Sequence, residues 1–139
     1  MKRLIFDTHA HYTSGAFNQN REMLLDSLPA DGVAGVVNCG TDLVSSMESV
    51  ALAEKYDWIY AAAGIHPESL IEEDSSTTMR FGGDWVAEMA AIEPLYQHPK
   101  VMAVGECGLD HHWPVPRDAQ LQLFEAEICT ALAHDLPLI

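Results

Sequence analysis

Short apolar segments alternate with stretches of helical periodicity along the whole chain, and this alternation is what most limits the available folds. The apolar segments are "LIF", "VAGVVNCG", "WIYAAAGIHP" and "KVMAVGECG". Between and after them apolar residues recur at the spacing of one helix face, most clearly over residues 117–134. A strand–helix unit repeated four times predicts parallel strands joined by right-handed crossovers.

The same pattern sets approximate bounds. We predict strands at residues 3–8, 33–39, 59–64 and 101–105, parallel and neighbouring in chain order. The segment "REMLLDSLPADG" predicts a short helix closed by Pro29 and Gly32, and two further helices start near Leu43 and Trp85. The polar segment "EEDSSTTMRFGGD" predicts a loop, and the final "LPLI" opens a fifth strand.

Two architectures share this alternation, an open doubly wound sheet and a (β/α)8 barrel. Every predicted strand ends in polar or glycine residues, and barrel enzymes build their active sites at the carboxyl ends of their strands. The dinucleotide-binding glycine pattern is absent after the first strand, where the sequence reads "THAHYT". We therefore expect a barrel. Because a barrel needs about 250 residues, residues 1–139 are expected to be the N-terminal half of one barrel domain, truncated after about four βα units.

Composition excludes several classes of protein. The formal net charge of −14 opposes nucleic-acid binding through basic patches. No apolar run reaches the roughly 18 residues of a membrane span, and the N-terminus lacks the apolar core of a secretory signal. The three cysteines lack C-x-x-C spacing, which favours free thiols and a cytoplasmic location.

The segment "FDTHAHY" places His9 and His11 one residue apart at the end of the first strand. Alternate side chains of a strand share one face, so the two imidazoles point together, as ligands of one metal ion would. Glu106 ends the fourth strand and is a candidate third ligand. The plainer alternatives are a hydrogen-bonded histidine pair and a solvated glutamate, and Asp7 is a candidate for orienting one of the histidines.

The remaining histidines carry weaker signals. His66, in "GIHP", is either a substrate contact or a turn residue. His111 and His112 are metal-like in composition, but adjacent residues of an extended segment face opposite ways. His98 and His134 are placed at helix C-termini, where a cation interacts favourably with the helix dipole, and we interpret both as structural.

Five segments in this order and spacing resemble the TatD family of metal-dependent hydrolases, also called TatD-like deoxyribonucleases. They are "FDTHAHY", "GIHPE", "VGECGLDHHW", "RDAQLQLFEAEICTAL" and "HDLPLI". The resemblance runs from Phe6 to Ile139. It implies an amidohydrolase-like (β/α)8 barrel, one or two divalent metal ions (Zn, Mg or Mn), and hydrolysis of DNA or another phosphodiester substrate.

The resemblance also assigns roles to individual residues. His9 and His11 would be first-strand metal ligands, and Glu106 the fourth-strand carboxylate ligand. His66 would lie near the substrate phosphate, and Asp110 in "GLD" would support the same strand end as a substrate-binding residue. The helix that follows begins with the R-x-x-Q pattern common in the family.

The chain departs from the family pattern in two places. Glu68 stands near the position of a second histidine after "HP", and His111 and His112 replace the aromatic residues that often follow "GLD". The family's remaining metal ligands and its catalytic aspartate are expected beyond Ile139, so no catalytic residue is expected within residues 1–139.

We therefore expect a deoxyribonuclease in which metal ions activate water, with the aspartate beyond Ile139 as the base. The alternatives are a metal-dependent amide or ester hydrolase on the same barrel, and a truncated, non-catalytic metal-binding half-barrel. The isolated chain is expected to have little or no nuclease activity. Open barrel edges predict self-association, and no membrane partner is expected.

Overall fold

Four parallel strands form one sheet in the computed structural model, which describes residues 4–139. The strands are β1 (Ile5–Ala10), β2 (Val33–Cys39), β3 (Ile59–Ala63) and β4 (Val101–Val104). All three pairings are parallel and the order is β1-β2-β3-β4. The predicted parallel strands in chain order are confirmed, except that residue 3 of the first predicted strand lies outside the described residues.

The helices lie between and after the strands. They are α1 (Arg21–Asp31), α2 (Leu43–Lys55), α3 (Ser76–Met79), α4 (Trp85–Ile92) and α5 (Arg117–His134). Short 3-10 turns occupy Gly15–Phe17, Pro67–Leu70 and Glu93–Gln97. No helix among residues 4–139 is long and apolar enough to cross a membrane.

Three local predictions were wrong in detail. Pro29 lies inside α1 rather than closing it, because its fixed φ suits a helix, and Gly32 ends the helix with a φ of 103°. The expected loop at residues 72–84 contains the one-turn helix α3, since the side chain of Ser75 accepts a hydrogen bond from the backbone N–H of Thr78. The apolar stripe from Trp85 to Tyr96 predicts one helix, but α4 ends at Ile92 and a 3-10 turn follows, because Pro94 has no backbone N–H to donate.

The last residues pair with β4 through a single bridge, at the place where the sequence predicts the opening of a fifth strand. Leu138 forms a parallel bridge with Val104. The backbone N–H of Val104 donates to the carbonyl of Pro137 at 2.9 Å, and that of Ile139 donates to Val104 at 3.0 Å. This segment therefore covers the free edge of β4 among the described residues, while β1 keeps an open edge.

The two faces of the sheet differ in burial. One face packs under the helices in a core that includes Leu25, Ile59 and Ile92, all fully buried. The other face has a small cluster of buried residues, Val37, Cys39, Ala62 and Ala103. Around this cluster large apolar side chains stay exposed, namely Phe6, Met102 and Leu138. Such a face lines the interior of a closed barrel.

One lysine side chain bonds to the backbone around the start of β3. The ammonium of Lys100 donates to the carbonyls of Tyr56, Asp57 and Ile59 at 2.9, 3.0 and 3.1 Å. It therefore closes the turn before β3.

The three cysteines are free thiols. The cytoplasmic location and the self-association of the chain stay predictions.

The close approach of β3 and β4 at their carboxyl ends leads to a first testable prediction. A methyl group at position 64 would lie 2.7 Å from the Cα of Gly105, a backbone atom that cannot move aside alone. We expect Gly64→Ala to lower the free energy of unfolding by about 2 kcal/mol or more. Urea denaturation measures this, with Gly15→Ala as the control, because a methyl there would meet only Asn18 at 3.7 Å. Equal effects of the two substitutions would contradict the tight approach.

Candidate metal centre

Two histidines project from the carboxyl end of β1. The backbone N–H of His9 donates to the Asp7 carboxylate at 3.1 Å, so Asp7 fixes the backbone of His9 rather than an imidazole ring. The Nδ1 atom of His11 lies 3.1 Å from the carbonyl oxygen of Cys39. Because a carbonyl only accepts, Nδ1 carries the proton, and a neutral His11 keeps its lone pair on Nε2.

The loop that follows these histidines is held by one arginine. The Arg21 guanidinium donates to the carbonyls of Tyr12, Thr13 and Ser14 at 2.5, 2.9 and 3.1 Å, and to the side-chain oxygen of Asn18 at 2.9 Å. Four acceptors on one planar group fix the path of the chain directly after His11. Arg21 carries no signal in the sequence, because three of its four acceptors are backbone atoms.

A buried asparagine of β2 secures the same loop. The side-chain oxygen of Asn38 accepts from the backbone N–H of Tyr12 at 2.6 Å. Its amide group donates to the hydroxyls of Thr13 and Ser49 at 3.2 and 2.9 Å. Asn38 is fully buried, so these bonds satisfy a side chain that would otherwise destabilise the core. Its occurrence in the apolar segment "VVNCG" is a signal that could have found it.

Glu106 comes to the two histidines from the end of β4. Its Oε2 atom lies 3.0 Å from the Nε2 of His9 and 3.0 Å from the Nε2 of His11. The two Nε2 atoms are 3.2 Å apart. The backbone N–H of Glu106 donates to the carbonyl of Gly40 at 2.8 Å, which anchors the residue to the end of β2. The structure thus brings together the three residues that the sequence analysis selected.

The size of this triangle can be compared with that of a metal site. Donor atoms at roughly 2.0–2.1 Å from one ion are roughly 2.9–3.4 Å apart for angles between a right angle and the tetrahedral value. The three observed separations, 3.0, 3.0 and 3.2 Å, fall in that interval. Imidazole nitrogen and carboxylate oxygen are also common ligands of divalent ions. Residues His9, His11 and Glu106 therefore fit a divalent cation.

The electrostatics of the triangle follow from the same contacts. Burial alone would raise the pKa of Glu106, but hydrogen bonds from His11 and His9 and their positive charges outweigh it and lower the pKa to about 2. The hydrogen bond with Glu106 is the largest cause that raises the pKa of His11 above its ordinary value, against partial burial. The carboxylate is thus ionised at neutral pH, as a metal ligand must be.

His66 and Asp110 lie beside the triangle. The Nε2 of His66 is 3.4 Å from an Asp110 oxygen and 3.8 Å from Glu106 Oε1. Its Nδ1 accepts from the backbone N–H of Glu68 at 3.3 Å, so the proton of a neutral His66 is on Nε2. The side chain of Gln120 bonds both the N–H and the carbonyl of Asp110, at 2.9 and 2.6 Å. Gln120 thereby fixes the Asp110 backbone.

These groups open on a cleft of about 450 Å³. Its lining includes His11, His66 and Glu106 together with two further carboxylates, Glu48 and Glu68. Glu68 lines the cleft, and its backbone N–H donates to the Nδ1 of His66 at 3.3 Å. The cleft is therefore acidic around the triangle.

The other histidines lie outside the triangle. The backbone N–H of His112 donates to Asp110 at 2.7 Å and its ring packs edge-on against Trp113, and neither His111 nor His112 joins a ligand cluster among the described residues. His98 and His134 pair with glutamates on neighbouring elements, at 3.2 and 2.6 Å.

One buried residue near the site was missed. Glu127 of α5 accepts the backbone N–H of Ile65 at 3.0 Å, directly before His66. The sequence offered only a glutamate in the middle of an amphipathic helix, where a solvated side chain is the usual outcome.

Comparison with known proteins places these features in context. The family described as TatD related DNase matches the chain over residues 6–139. The uncharacterized metal-dependent hydrolase YabD of Bacillus subtilis is 35% identical over 98% of this chain and 49% of its own length. The 3'-5' ssDNA/RNA exonuclease TatD of Citrobacter koseri is 32% identical, over 96% of this chain and 48% of its own.

Solved structures show the same relation. The crystal structure of YjjV, a TatD homologue from Escherichia coli K12, superposes with a TM-score of 0.78 at 28% identity, covering 96% of this chain and 49% of its own. A TatD-family hydrolase from Entamoeba histolytica gives 0.75 at 17% identity, over 99% of this chain and 49% of its own, which supports the fold alone. The expected fold class, a barrel-type α/β fold with about four βα units present, is confirmed. The chain spans about half the length of these relatives.

The ion pair of the triangle generates a second prediction. The folded pKa of Glu106 is about 2 against an ordinary 4.5, so its contribution to stability is present above pH 4.5 and lost as the pH falls through 2. The pKa of His11 is raised above 6.5, so its contribution is present below pH 6.5 and lost as the pH rises through the raised value. The pair stabilises the metal-free fold most between these limits.

We expect Glu106→Gln to lower the free energy of unfolding by about 1 kcal/mol near pH 5.5, a figure reduced for the exposure of both imidazoles, and by less near pH 9. Urea denaturation in the presence of a chelator measures the difference. Glu125→Gln is the matched control, because Glu125 is exposed on α5. A loss that is equal at both pH values would argue against the ion pair.

Proposed function

The chain belongs to the TatD-related DNase family, and on that premise we propose that it hydrolyses phosphodiester bonds in nucleic acid with one or two divalent metal ions. We propose further that residues 1–139 form the N-terminal half of a single barrel domain. The observation that carries the proposal is the triangle of His9, His11 and Glu106 at the carboxyl ends of β1 and β4.

The three triangle residues would hold the metal ion. His11 is oriented by the Cys39 carbonyl, His9 by the path of β1, and Glu106 by its backbone bond to Gly40. When bound, a divalent cation supplies Lewis-acid chemistry: it withdraws charge from a phosphoryl oxygen and makes water more acidic. Two imidazoles and one carboxylate suit Zn, whereas Mg and Mn favour oxygen ligands such as the carboxylate, and we propose one of these three metals.

Residues beside the triangle would position the substrate. His66 holds a proton on Nε2 and offers it to a non-bridging phosphate oxygen. The Asp110 carboxylate lies 3.4 Å from the same Nε2 atom and orients the imidazole. Gln120 in turn keeps Asp110 in place. In this arrangement Glu106 would bind the metal ion, Asp110 contacts His66, and the imidazole of His66 would donate to the phosphate.

The charge of the chain favours a short or terminal contact with nucleic acid. The net charge is −14 with only seven Lys and Arg residues, so an extended phosphate backbone would gain little from the protein surface. A strand end can bring one scissile phosphate to the metal ions while the rest stays in solvent. This fits the curated relatives that are named 3'-5' ssDNA/RNA exonucleases, and we propose the same substrate class for this protein.

One observation favours a second candidate, a metal-dependent ester or amide hydrolase. Glu48 and Glu68 line the cleft and repel a polyanion, whereas a neutral ester or amide meets no such penalty. The third alternative, a metal-binding half-barrel without catalysis, binds the metal but gives no turnover on any substrate.

Metal binding by the chain is the third prediction. We expect His9→Ala and His11→Ala each to lower the affinity for Mn²⁺ or Zn²⁺ by at least about tenfold, because each removes one of three protein ligands. Isothermal titration calorimetry measures the affinity. His111→Ala and His112→Ala are matched controls, since both are exposed histidines outside the triangle. Equal losses in all four variants would exclude the triangle as the metal site.

Turnover is the fourth prediction. We expect a chimera of residues 1–139 with the C-terminal half of the Citrobacter koseri exonuclease to cleave a single-stranded oligonucleotide in Mg²⁺ or Mn²⁺. The isolated chain should have little or no activity, because the family's remaining metal ligands and the base are expected outside residues 1–139. Glu106→Gln in the chimera should remove cleavage. A cooperative thermal transition of the chimera serves as the folding control.

The same assay separates the alternatives. Cleavage of p-nitrophenyl esters in preference to the oligonucleotide would favour the ester hydrolase, and a folded chimera without turnover on either would favour the non-catalytic alternative. Equal turnover by the chimera and the isolated chain would contradict the proposed division of the site between two halves.

A further inference from the structure

A fully buried glutamate lies behind the candidate site. Glu127, in the middle of α5, has a relative exposure of 0%. Its Oε1 atom accepts the backbone N–H of Ile65 at 3.0 Å, across 62 residues of sequence. Its Oε2 atom has no hydrogen-bond partner among the described residues. Burying an ionised carboxylate without a cation costs much stability, so a carboxyl group in this position is expected to be neutral.

The groups that face Glu127 leave its charge uncompensated. Tyr96, from the 3-10 turn before β4, and Cys107, after β4, are the titratable neighbours that interact with it. Burial is the main cause that raises the pKa of both groups, the charge of Glu127 adds to it, and neither group is a cation. Within residues 4–139, no ion pair includes Glu127. Burial therefore raises the pKa of Glu127 to about 8, and only the N–H of Ile65 acts against this.

The hydrogen bond acts on the turn that carries His66. Ile65 is fully buried and comes directly before His66. The backbone N–H of His66 donates to the carbonyl of Thr41 at 2.8 Å. Two successive backbone N–H groups are thus held, one by α5 and one by the end of β2. The side chain of His66 then faces Asp110 and Glu106.

We propose that Glu127 is a positioning residue of this site: its buried carboxyl group, held in the neutral form, anchors the turn that carries His66, and loss of its proton to solvent loosens that turn. The anchoring role stands on geometry alone. Its consequence for substrate binding rests on the proposed function, in which His66 contacts the phosphate.

The proposal predicts the pH dependence of stability. The folded chain keeps this proton up to about pH 8, whereas the unfolded chain releases it near the ordinary pKa of 4.5. The stabilising contribution is complete below pH 4.5 and is lost as the pH rises to about 8. Between these values the unfolding equilibrium constant should rise by about tenfold per pH unit through this group.

The first experiment compares the metal-free wild-type chain with Glu127→Gln in urea denaturation from pH 5 to pH 8. The amide cannot lose a proton in this range, so the ratio of the two unfolding constants isolates Glu127 from the titrating histidines. We expect that ratio to change by about tenfold per pH unit. The control Glu125→Gln, exposed on the same helix, should follow the wild type. A ratio that stays constant would overturn the proposal.

The second experiment measures positioning directly. The amide oxygen introduced by Glu127→Gln still accepts the Ile65 N–H, whereas Glu127→Leu does not. We expect the NMR signals of the His66 ring to agree in wild type and Glu127→Gln at low pH and to diverge as the pH rises through about 8, the pKa of Glu127. Comparing the two chains at each pH removes the titrations that they share. Glu127→Leu should shift the His66 signals at every pH. His66 signals that do not respond to Glu127→Gln or to pH near 8 would overturn the proposal.

Neither experiment requires turnover or bound metal. If the chain shows the expected pH dependence of unfolding but the folded chimera does not cleave nucleic acid, the role of Glu127 stands and only the proposed function is removed. If the chimera cleaves nucleic acid but the unfolding of wild type and Glu127→Gln depends on pH in the same way, the proposed function stands and the role of Glu127 is removed.

Discussion

The contact between Glu106 and the two histidines of β1 requires a strongly curved sheet. Two strands separate β1 from β4, and three spacings of a flat sheet amount to roughly 14 Å between the strand axes. Nevertheless Glu106 Oε2 lies 3.0 Å from both imidazoles. Only a sheet that curls towards one face brings the carboxyl ends of its outer strands so close. The exposed apolar residues on that concave face, Phe6 and Met102 among them, are a further result of the same curvature.

The sequence predicts those features of the structure that depend only on residues close together in the chain. The bounds of β2 and α5 agree with the prediction because β-branched runs and helical stripes are complete within a few turns of chain. Period-2 alternation likewise predicted the pairing of His9 with His11. The place of Glu106 followed only after a parallel barrel had been inferred, since parallel strands end at one edge.

Other features depend on partners that no spacing reveals. Arg21 and Glu127 both bind backbone atoms that tertiary structure brings to them, from 7 to 62 residues away in sequence. Backbone atoms have no residue type, so a sequence pattern cannot point to them. The short helix α3 shows the same limitation on a smaller scale, because a single serine cap decided between turn and helix.

Two cationic side chains bond to the main chain, and this affects the rate at which a negatively charged molecule can approach the protein. Arg21 and Lys100 direct their charge to main-chain carbonyls, which leaves five of the seven Lys and Arg residues to offset the 21 Asp and Glu residues in the chain. A phosphate strand therefore approaches a repulsive field, and dissolved ions weaken that field. For the proposed substrate, nucleic acid, encounter should accordingly quicken with added salt, the reverse of the behaviour of proteins that attract DNA through basic patches.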